Sequence, residues 1–340
     1  MKLNMVGGFQ TMQQKALWDD TVVPVCQLCG QPDTREHRML SCTNMEDIRK
    51  QHVEACDILQ HQRPEWCFMP LPRLYDDVYM LRAFVKTIKL PKVERPCETG
   101  ISHLRFFMDG GAIHPAFHVG RLAAWAVIQD LSTSDTARRM CVDYLFLQPP
   151  QLPLFRVAAM GMVSGDQTVA RGELQALARA CEIALLSESM ETAEFVTDAS
   201  YVCAVVRLIE SGLFAFCLHH LPNAALILQL HAMWRPDVFC IRKVKSHRRF
   251  DETKDLDDLW YIAGNFCADM VVNLVFLTIP SCIRRCAEKA VDFQRKEEAR
   301  LKCVFKYITQ LNRSRCEQLN HSVATGKGHT TKLQLPRHEQ

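Results

Sequence analysis

From Leu104 onward the chain lays down three strand-length apolar runs, Leu104 to Met108, Ala123 to Ile128 and Phe155 to Val163, before any helical spacing appears. Helices and strands then alternate. Gly172 to Leu186 has helical spacing without proline, Glu194 to Thr197 is a short strand, and Tyr201 to Ile209 is helical. Val238 to Val244 reads as another strand, and Gly264 to Phe276 as a helix after a long polar loop. Successive strands followed by alternating helices and strands predict an α/β fold, a mixed sheet flanked by helices.

The rest of the chain reads differently. Residues 1–21 form a leader, and 22–62 a short, polar, cysteine-bearing segment that suits a small metal-nucleated unit better than a large core. Residues 63–100 are broken by Pro64, Pro70, Pro72, Pro91 and Pro96 and read as a linker, with one amphipathic helix expected from Tyr75 to Ile88. The sheet domain then spans 101–278. Residues 279–340 are a charged tail, helical in pattern from Ile283 to Leu311 and expected to be disordered after Asn312. With 41 basic and 38 acidic residues the net charge of +3 neither demands nor excludes a polyanionic partner. No uninterrupted apolar run approaches the roughly 18 residues of a membrane span, and the first twenty residues lack a signal-peptide pattern. The chain is therefore expected to be intracellular, cytoplasmic or nuclear. Its 16 cysteines are expected to be mostly reduced, buried thiols.

Four acidic residues stand where a mixed sheet would expose them together. Asp109 ends an apolar strand and is followed by Gly110 and Gly111, which allow close approach of a backbone or ligand. Glu173 lies in the first turn of a helix, Asp198 ends a second short strand, and Asp269 lies in the first turns of the last helix. Carboxylates crowded in low dielectric repel one another, so such a cluster implies bound cations or raised pKa values, and oxygen ligands favour magnesium, or manganese in its place. The plainer reading makes Asp109 and Asp198 strand-end caps, and Glu173 and Asp269 ordinary helix N-terminal acids.

Asp109-Gly-Gly after a strand, Gly172-Glu-Leu-Gln-Ala-Leu opening a helix, Thr197-Asp-Ala-Ser-Tyr-Val after another strand, and Val244-Lys-Ser-His before Gly264-Asn-x-x-Ala-Asp together resemble type-1 ribonuclease H. The resemblance covers Ile101 to Phe276, about half the chain. It implies a five-stranded mixed sheet with a reversed second strand and helices on both faces. It also implies that Asp109, Glu173, Asp198 and Asp269 are catalytic and hold two magnesium ions roughly 4 Å apart, Asp109 touching both. The implied reaction is hydrolysis of the RNA strand of an RNA-DNA hybrid, leaving 5′-phosphate and 3′-hydroxyl ends. Gly110, Arg171, Ser200, Lys245, His247 and Asn265 are the implied nucleic-acid contacts.

Some positions depart from that pattern. Asp130 to Leu154 is expected to contain an inserted loop. Val169, Ala170 and Arg171 stand where the family often places asparagine near the minor-groove hydroxyls, which puts hybrid discrimination in question. His247 has the sequence position of the family's Lys-x-His histidine, but between Arg248 and Asp269 there is no second, mobile histidine. The loop from Arg248 to Ala263 is acidic, with Asp251, Glu252, Asp255, Asp257 and Asp258, and would repel phosphate unless turned away. Lys243, Lys245, Arg248 and Arg249 flank it and are candidates for backbone contacts.

Cys26, Cys29, His37 and Cys42 are spaced C-x2-C-x7-H-x4-C, a set of three thiolates and one imidazole suited to tetrahedral zinc, with chance in a cysteine-rich chain as the alternative. Cys56, Cys67, Cys282, Cys286 and Cys303 lack such spacing and are assigned to packing. With Gly30, Thr34 and His37 the cluster is similar to the knuckle downstream of the reverse transcriptase in LINE-type, non-LTR retroelements. That resemblance implies a polyprotein fragment or domesticated remnant, with a reverse transcriptase as partner or former neighbour. Tyr75-Asp76-Asp77 imitates a polymerase pair, but too little chain precedes it for a palm domain. Two functions from different classes therefore stand: an active ribonuclease H, or a catalytically impaired, retroelement-derived nucleic-acid-binding protein. A third, another nuclease of the same fold, is disfavoured by the Gly264-Asn-x-x-Ala-Asp helix.

Overall fold

The predicted strands all form, and in a single sheet. The structure is a computed structural model and describes residues 11–17, 19, 21–67, 76–97, 102–139, 154–213 and 218–324. Its strands are β1 (His103–Ile113), β2 (Leu122–Asp130), β3 (Phe155–Met162), β4 (Thr192–Thr197) and β5 (Phe239–Lys243). They lie in the order β3-β2-β1-β4-β5. β2 runs antiparallel to both β1 and β3, whereas β4 is parallel to β1 and β5. One reversed strand among five, with helices on both faces, is the ribonuclease H-like architecture that the sequence resemblance implies.

The helices of this part are α1 (Asp76–Thr87), α2 (Val169–Leu185), α3 (Ser200–Glu210), α4 (Ala224–Met233) and α5 (Leu256–Thr278); α6 (Ser281–Ala324) follows. Side chains alternate across a strand, so a strand covered on both faces reads as an unbroken apolar run. Phe106 and Met108 of β1, Trp125 and Val127 of β2, and Phe195 of β4 join the core beneath α2, α3 and α4. Phe107, Ala126, Ile128 and Val196 join a second core with α5, Val78 and Leu81 of α1, and Ile283, Ala287 and Ala290. The stretch read as a linker thus supplies a helix to that core. By length and composition α5 would also suit a membrane, but 56% of its apolar stretch is buried in the protein, as a core helix requires.

Chain contacts divide the molecule into two units, Tyr75–Asp292, which holds the sheet, and a unit made of Met1–Leu74 and Phe293–Gln340. In the second unit a tight hairpin carries the Cys26-x-x-Cys29 pair: Cys26 N–H donates to the Gln31 carbonyl, Gly30 N–H to the Cys26 carbonyl, and Val25 bridges Pro32. Met39, Cys42, Met45, Ile58, Leu59 and Trp66 pack there against Val304, Tyr307 and Leu311 of α6. The leader also contributes. Thr11 is buried and caps the short helix Met12–Ala16, whose Met12 N–H donates to Asp33.

Several boundaries differ from expectation for local reasons. β1 continues past Asp109 to Ile113, because Gly110, Gly111 and Ala112 keep pairing with β2, so Asp109 sits within the strand rather than at its end. α2 starts at Val169, where Thr168 caps the helix by accepting from Arg171 N–H; Glu173 is therefore in its second turn. α5 starts at Leu256, capped by Asp255 with Asp257 and Asp258 in its first turn, so much of the expected polar loop is helix and Asp269 lies deep within it. α4 has an apolar surface on every side and no amphipathic period, which hid it from pattern reading. Residues 313–324, expected to be disordered, continue α6. The expected insertion after Asp130 is described through 139 and from 154; the remainder lies outside the described residues, as do residues 325–340 of the tail.

Candidate functional site

Two adjacent backbones create the carboxylate cluster. A Cβ on Gly110 would lie 2.4 Å from Glu173 N and 2.8 Å from Gly172 C, and one on Gly172 would lie 2.9 Å from the Ala124 carbonyl oxygen. Only paired glycines allow α2 to press this closely onto β1 and β2, and that contact carries Glu173 to Asp109. On the other face a Cβ on Gly264 would meet the Phe107 ring at 2.4 Å, so α5 is drawn onto β1 about one and a half turns before Asp269. The β1–β4 ladder ends at the Phe107 and Val196 pair. Beyond it, among the described residues, β1 has no strand neighbour on that side, and Asp198, one residue past β4, brings its carboxylate close to Asp109.

One carboxylate oxygen from each of Asp109, Glu173 and Asp198 lies within 4.8 Å of the others. Asp109 is 8% exposed and Glu173 5%. Burial first, and then the charges of Asp198 and Asp269, push Asp109 up to about 7. Burial, followed by the charges of Asp109 and Asp198, likewise raises Glu173 well above the usual carboxylate range. One oxygen of Glu173, Oε2, is buried without a hydrogen-bond donor. Crowded, partly dry oxygen donors of this kind fit hard divalent cations, which would replace the missing donors and cancel the repulsion. Asp269 is outside the 4.8 Å set but acts on Asp109 through its charge; Asn273 Nδ2 donates to its Oδ1 at 3.4 Å and to its backbone oxygen at 3.0 Å.

A cleft of about 200 Å³ opens beside Asp269. Arg242, Lys243, Lys245, His247 and Arg248 line it from β5 and the following turn, and Tyr261, Asn265, Phe266 and Asp269 line it from α5. Tyr261 fixes the floor. Its hydroxyl donates to Glu194, which is 4% exposed and also takes Arg105 and Arg242 at 2.5 Å, while both guanidiniums lie over the Tyr261 ring. Lys243 and Lys245 have no carboxylate partner among the described residues, and Asn265 Oδ1 is buried without a donor. His247 is exposed at the turn, with φ of 51°.

The other expected contacts are placed less uniformly. Gly110 is a helix-packing position, Ser200 is exposed at the first residue of α3, and Arg171 is turned inward. Its guanidinium donates to the Ser164 carbonyl and to Asn223 Oδ1, tying two loops together. Most of the acidic stretch is paired with the protein's own arginines: Arg248 with Glu252 and Asp258, Arg249 with Asp251, and Arg138, from the segment after β2, with Asp257, while Asp255 caps α5. Sequence reasoning missed the roles of Gly172, Gly264 and Tyr261. A glycine immediately before a candidate ligand on a helix was the one available signal for the first.

In the second unit Cys26, Cys29, His37 and Cys42 place their ligand atoms within 4.8 Å of one another. His37 Nε2 lies 3.1 Å from Cys29 Sγ while its Nδ1 meets the Ser41 hydroxyl, so Nε2 is the nitrogen turned to the thiols. A hydrogen bond from Cys42, with help from Arg315, holds the Cys26 thiol far down at about 3, and the same bond to Cys26 raises Cys42. Three sulfurs and one imidazole nitrogen at this spacing fit a tetrahedral, soft-ligand metal.

No family model matches the chain, and no curated protein matches it. Among solved structures it is similar to LC9-RNase H1, described as a type 1 RNase H with the type 2 active-site motif. The two are 13% identical with a TM-score of 0.37, over 56% of this chain and 78% of that one. It is also similar to a foamy viral protease-reverse transcriptase solved in complex with dsDNA, at 16% identity and a TM-score of 0.32, over 56% of this chain and all of that one.

Proposed function

We propose that the sheet unit is a metal-dependent endonuclease that hydrolyses the RNA strand of RNA-DNA hybrids. The observation that carries this is the convergence of Asp109, Glu173 and Asp198 within 4.8 Å, from separate parts of the chain, with Asp109 and Glu173 buried and no ion pair to any of the three among the described residues. Asp109, Glu173, Asp198 and Asp269 are the residues that would hold two magnesium ions, or manganese in their place. Bound there, the ions would activate water and stabilise the departing sugar oxygen. Asp109, raised to about 7 without a cation, would give up its proton on loading. Lys243 and Lys245, with no carboxylate of their own, would hold the nucleic-acid backbone, and Asn265 would accept from a sugar hydroxyl or base edge. In the second unit, Cys26, Cys29, His37 and Cys42 would hold one structural zinc ion.

The test is cleavage of an RNA-DNA hybrid, against double-stranded RNA and DNA, with and without magnesium. Native protein is expected to cut only the hybrid and only with the metal, and Asp109→Asn to cut nothing. Equal activity of the two proteins sinks the site. One observation favours the second reading, a binding protein with impaired turnover: Arg171, next to Gly172 and Glu173, spends its guanidinium on the protein's own loops rather than holding it out for nucleic acid. Hybrid binding without cleavage in the same assay would establish it.

A further inference from the structure

The cysteine and histidine cluster has a partner from the far end of the chain. Arg315 lies on α6, and its side chain is 8% exposed. Its Nη1 donates to Cys26 Sγ at 3.3 Å, and its Nη2 is 3.7 Å from Asp33 Oδ1. Asp33 is fully buried and also takes Arg38 Nε at 2.7 Å, Arg38 Nη2 at 2.5 Å and Met12 N–H at 2.5 Å. Around this polar knot the packing is apolar: Met39, Cys42 and Met45 meet Val304, Tyr307 and Leu311, and the Tyr307 hydroxyl donates to the Met39 carbonyl.

Two buried guanidiniums share a single carboxylate, so the second positive charge needs another partner in this dry interior, and the Cys26 sulfur that Arg315 touches is placed to be it. A divalent ion on three thiolates and a neutral imidazole carries one net negative charge. Asp33 adds a second, and Arg38 and Arg315 cancel both. With metal on the cluster the buried network is neutral, and the charge that Arg315 faces is carried by a ligand sulfur. The guanidinium fork suits Arg315 to the task, since one nitrogen reaches the sulfur while the other faces the carboxylate.

We propose that Arg315 is the charge-balancing partner of a metal-loaded Cys26, Cys29, His37 and Cys42 cluster, so that metal binding and docking of residues 293–324 onto the hairpin are one equilibrium. The proposal rests on the reading that the cluster binds zinc. Arg315 acts through Cys26 as a positioning residue and is not itself a ligand.

Zinc affinity of the full chain, measured by competition with a chromogenic chelator, is expected to fall about 10- to 100-fold in Arg315→Gln, the loss typical of removing a hydrogen bond to a metal ligand. Arg315→Lys, which restores the charge, is expected to recover most of it. Hydrogen exchange on the native chain gives a second readout that no variant can spoil by misfolding: stripping zinc should expose amides of residues 304–315, and returning it should protect them. Unchanged affinity in Arg315→Gln, equal losses in the Gln and Lys variants, or protection indifferent to zinc would each overturn the coupling while leaving a zinc site in place. A native chain that takes up no zinc removes the site itself.

Discussion

The two clusters of ligand-type side chains are assembled by opposite routes. The four sulfur and nitrogen ligands lie between Cys26 and Cys42 on one hairpin and the turn after it, so local geometry alone brings them near. Three carboxylates are drawn from β1, α2 and the residue after β4, with Asp269 of α5 acting on them through its charge, and they meet only because a complete sheet holds those elements in register. A ligand set made from one short segment relies for its shape on a bound metal and on the chain packed against it, here Val304, Tyr307 and Leu311. A cluster at the edge of a two-faced core is held open by that core, repulsion included, and needs its metal only for chemistry.

The contrast predicts its largest effect on metal removal. Stripping zinc, or changing Cys42→Ser, is expected to unfold the hairpin unit, because structural zinc contributes on the order of 10 kcal/mol in small metal-nucleated folds. Magnesium omission is expected to leave the sheet intact. Hydrogen exchange resolved by segment checks both, and cooperative loss of the sheet on zinc removal alone would break the comparison. Next in size is Gly110→Ala. Its Cβ would strike Glu173 N at 2.4 Å, so α2 must shift away from β1 at a cost of about 1 to 3 kcal/mol, and magnesium affinity should fall with the retreat of Glu173 while zinc content stays at the native level. Metal titration by calorimetry separates the two sites.

pH sharpens the same contrast. Asp109 is pushed from an ordinary 3.8 up to about 7 in the metal-free fold, so the folded state holds a proton that the unfolded chain has already released. Stability is therefore fullest below about pH 4 on this account, falls between about 4 and 7, and stays low above 7. In magnesium-free buffer with zinc retained, melting temperature should decline across that interval, and adding magnesium should restore it most at the alkaline end. The same titration in Asp109→Asn should be flatter. An unchanged slope would mean that the carboxylates are not electrostatically crowded.

How much of this was legible in the sequence followed from how far each feature depends on distant residues. Phe106-Phe107-Met108 read correctly as a strand because both its faces are buried and the run is unbroken, and the four hairpin residues singled out by spacing do bring their sulfur and ring nitrogen atoms together. Asp109, Glu173 and Asp198 were identifiable as ligand candidates, but their placement within elements was not: where β1 stops depends on how long β2 keeps pairing with it, and where α5 starts depends on the cap from Asp255. Arg315 had no sequence signal, since nothing in its neighbourhood announces a sulfur 289 residues away. The same limit explains Arg171. Its position beside Glu173 suggested a nucleic-acid contact, whereas Asn223, supplied by a loop 52 residues on, holds its guanidinium inside the protein.

The smallest expected effect lies at the cleft beside Asp269. Lys245 is exposed there and has no carboxylate partner among the described residues, whereas Arg248 on the same wall is already paired with Glu252 and Asp258. A free ammonium contributes to a phosphate contact by releasing counterions, and a guanidinium held by two carboxylates contributes less. Lys245→Ala should therefore weaken hybrid binding uniformly across sequences and lower the salt dependence by about one phosphate contact, with no change in metal affinity. Arg248→Ala should barely change the salt slope. Binding measured at several salt concentrations with Asp109→Asn, which is expected not to cut, isolates the effect from turnover. A larger slope change for Arg248 than for Lys245 would mean that the acidic segment releases its arginine when nucleic acid arrives, and the self-neutralised wall would have to be redrawn as a moving one.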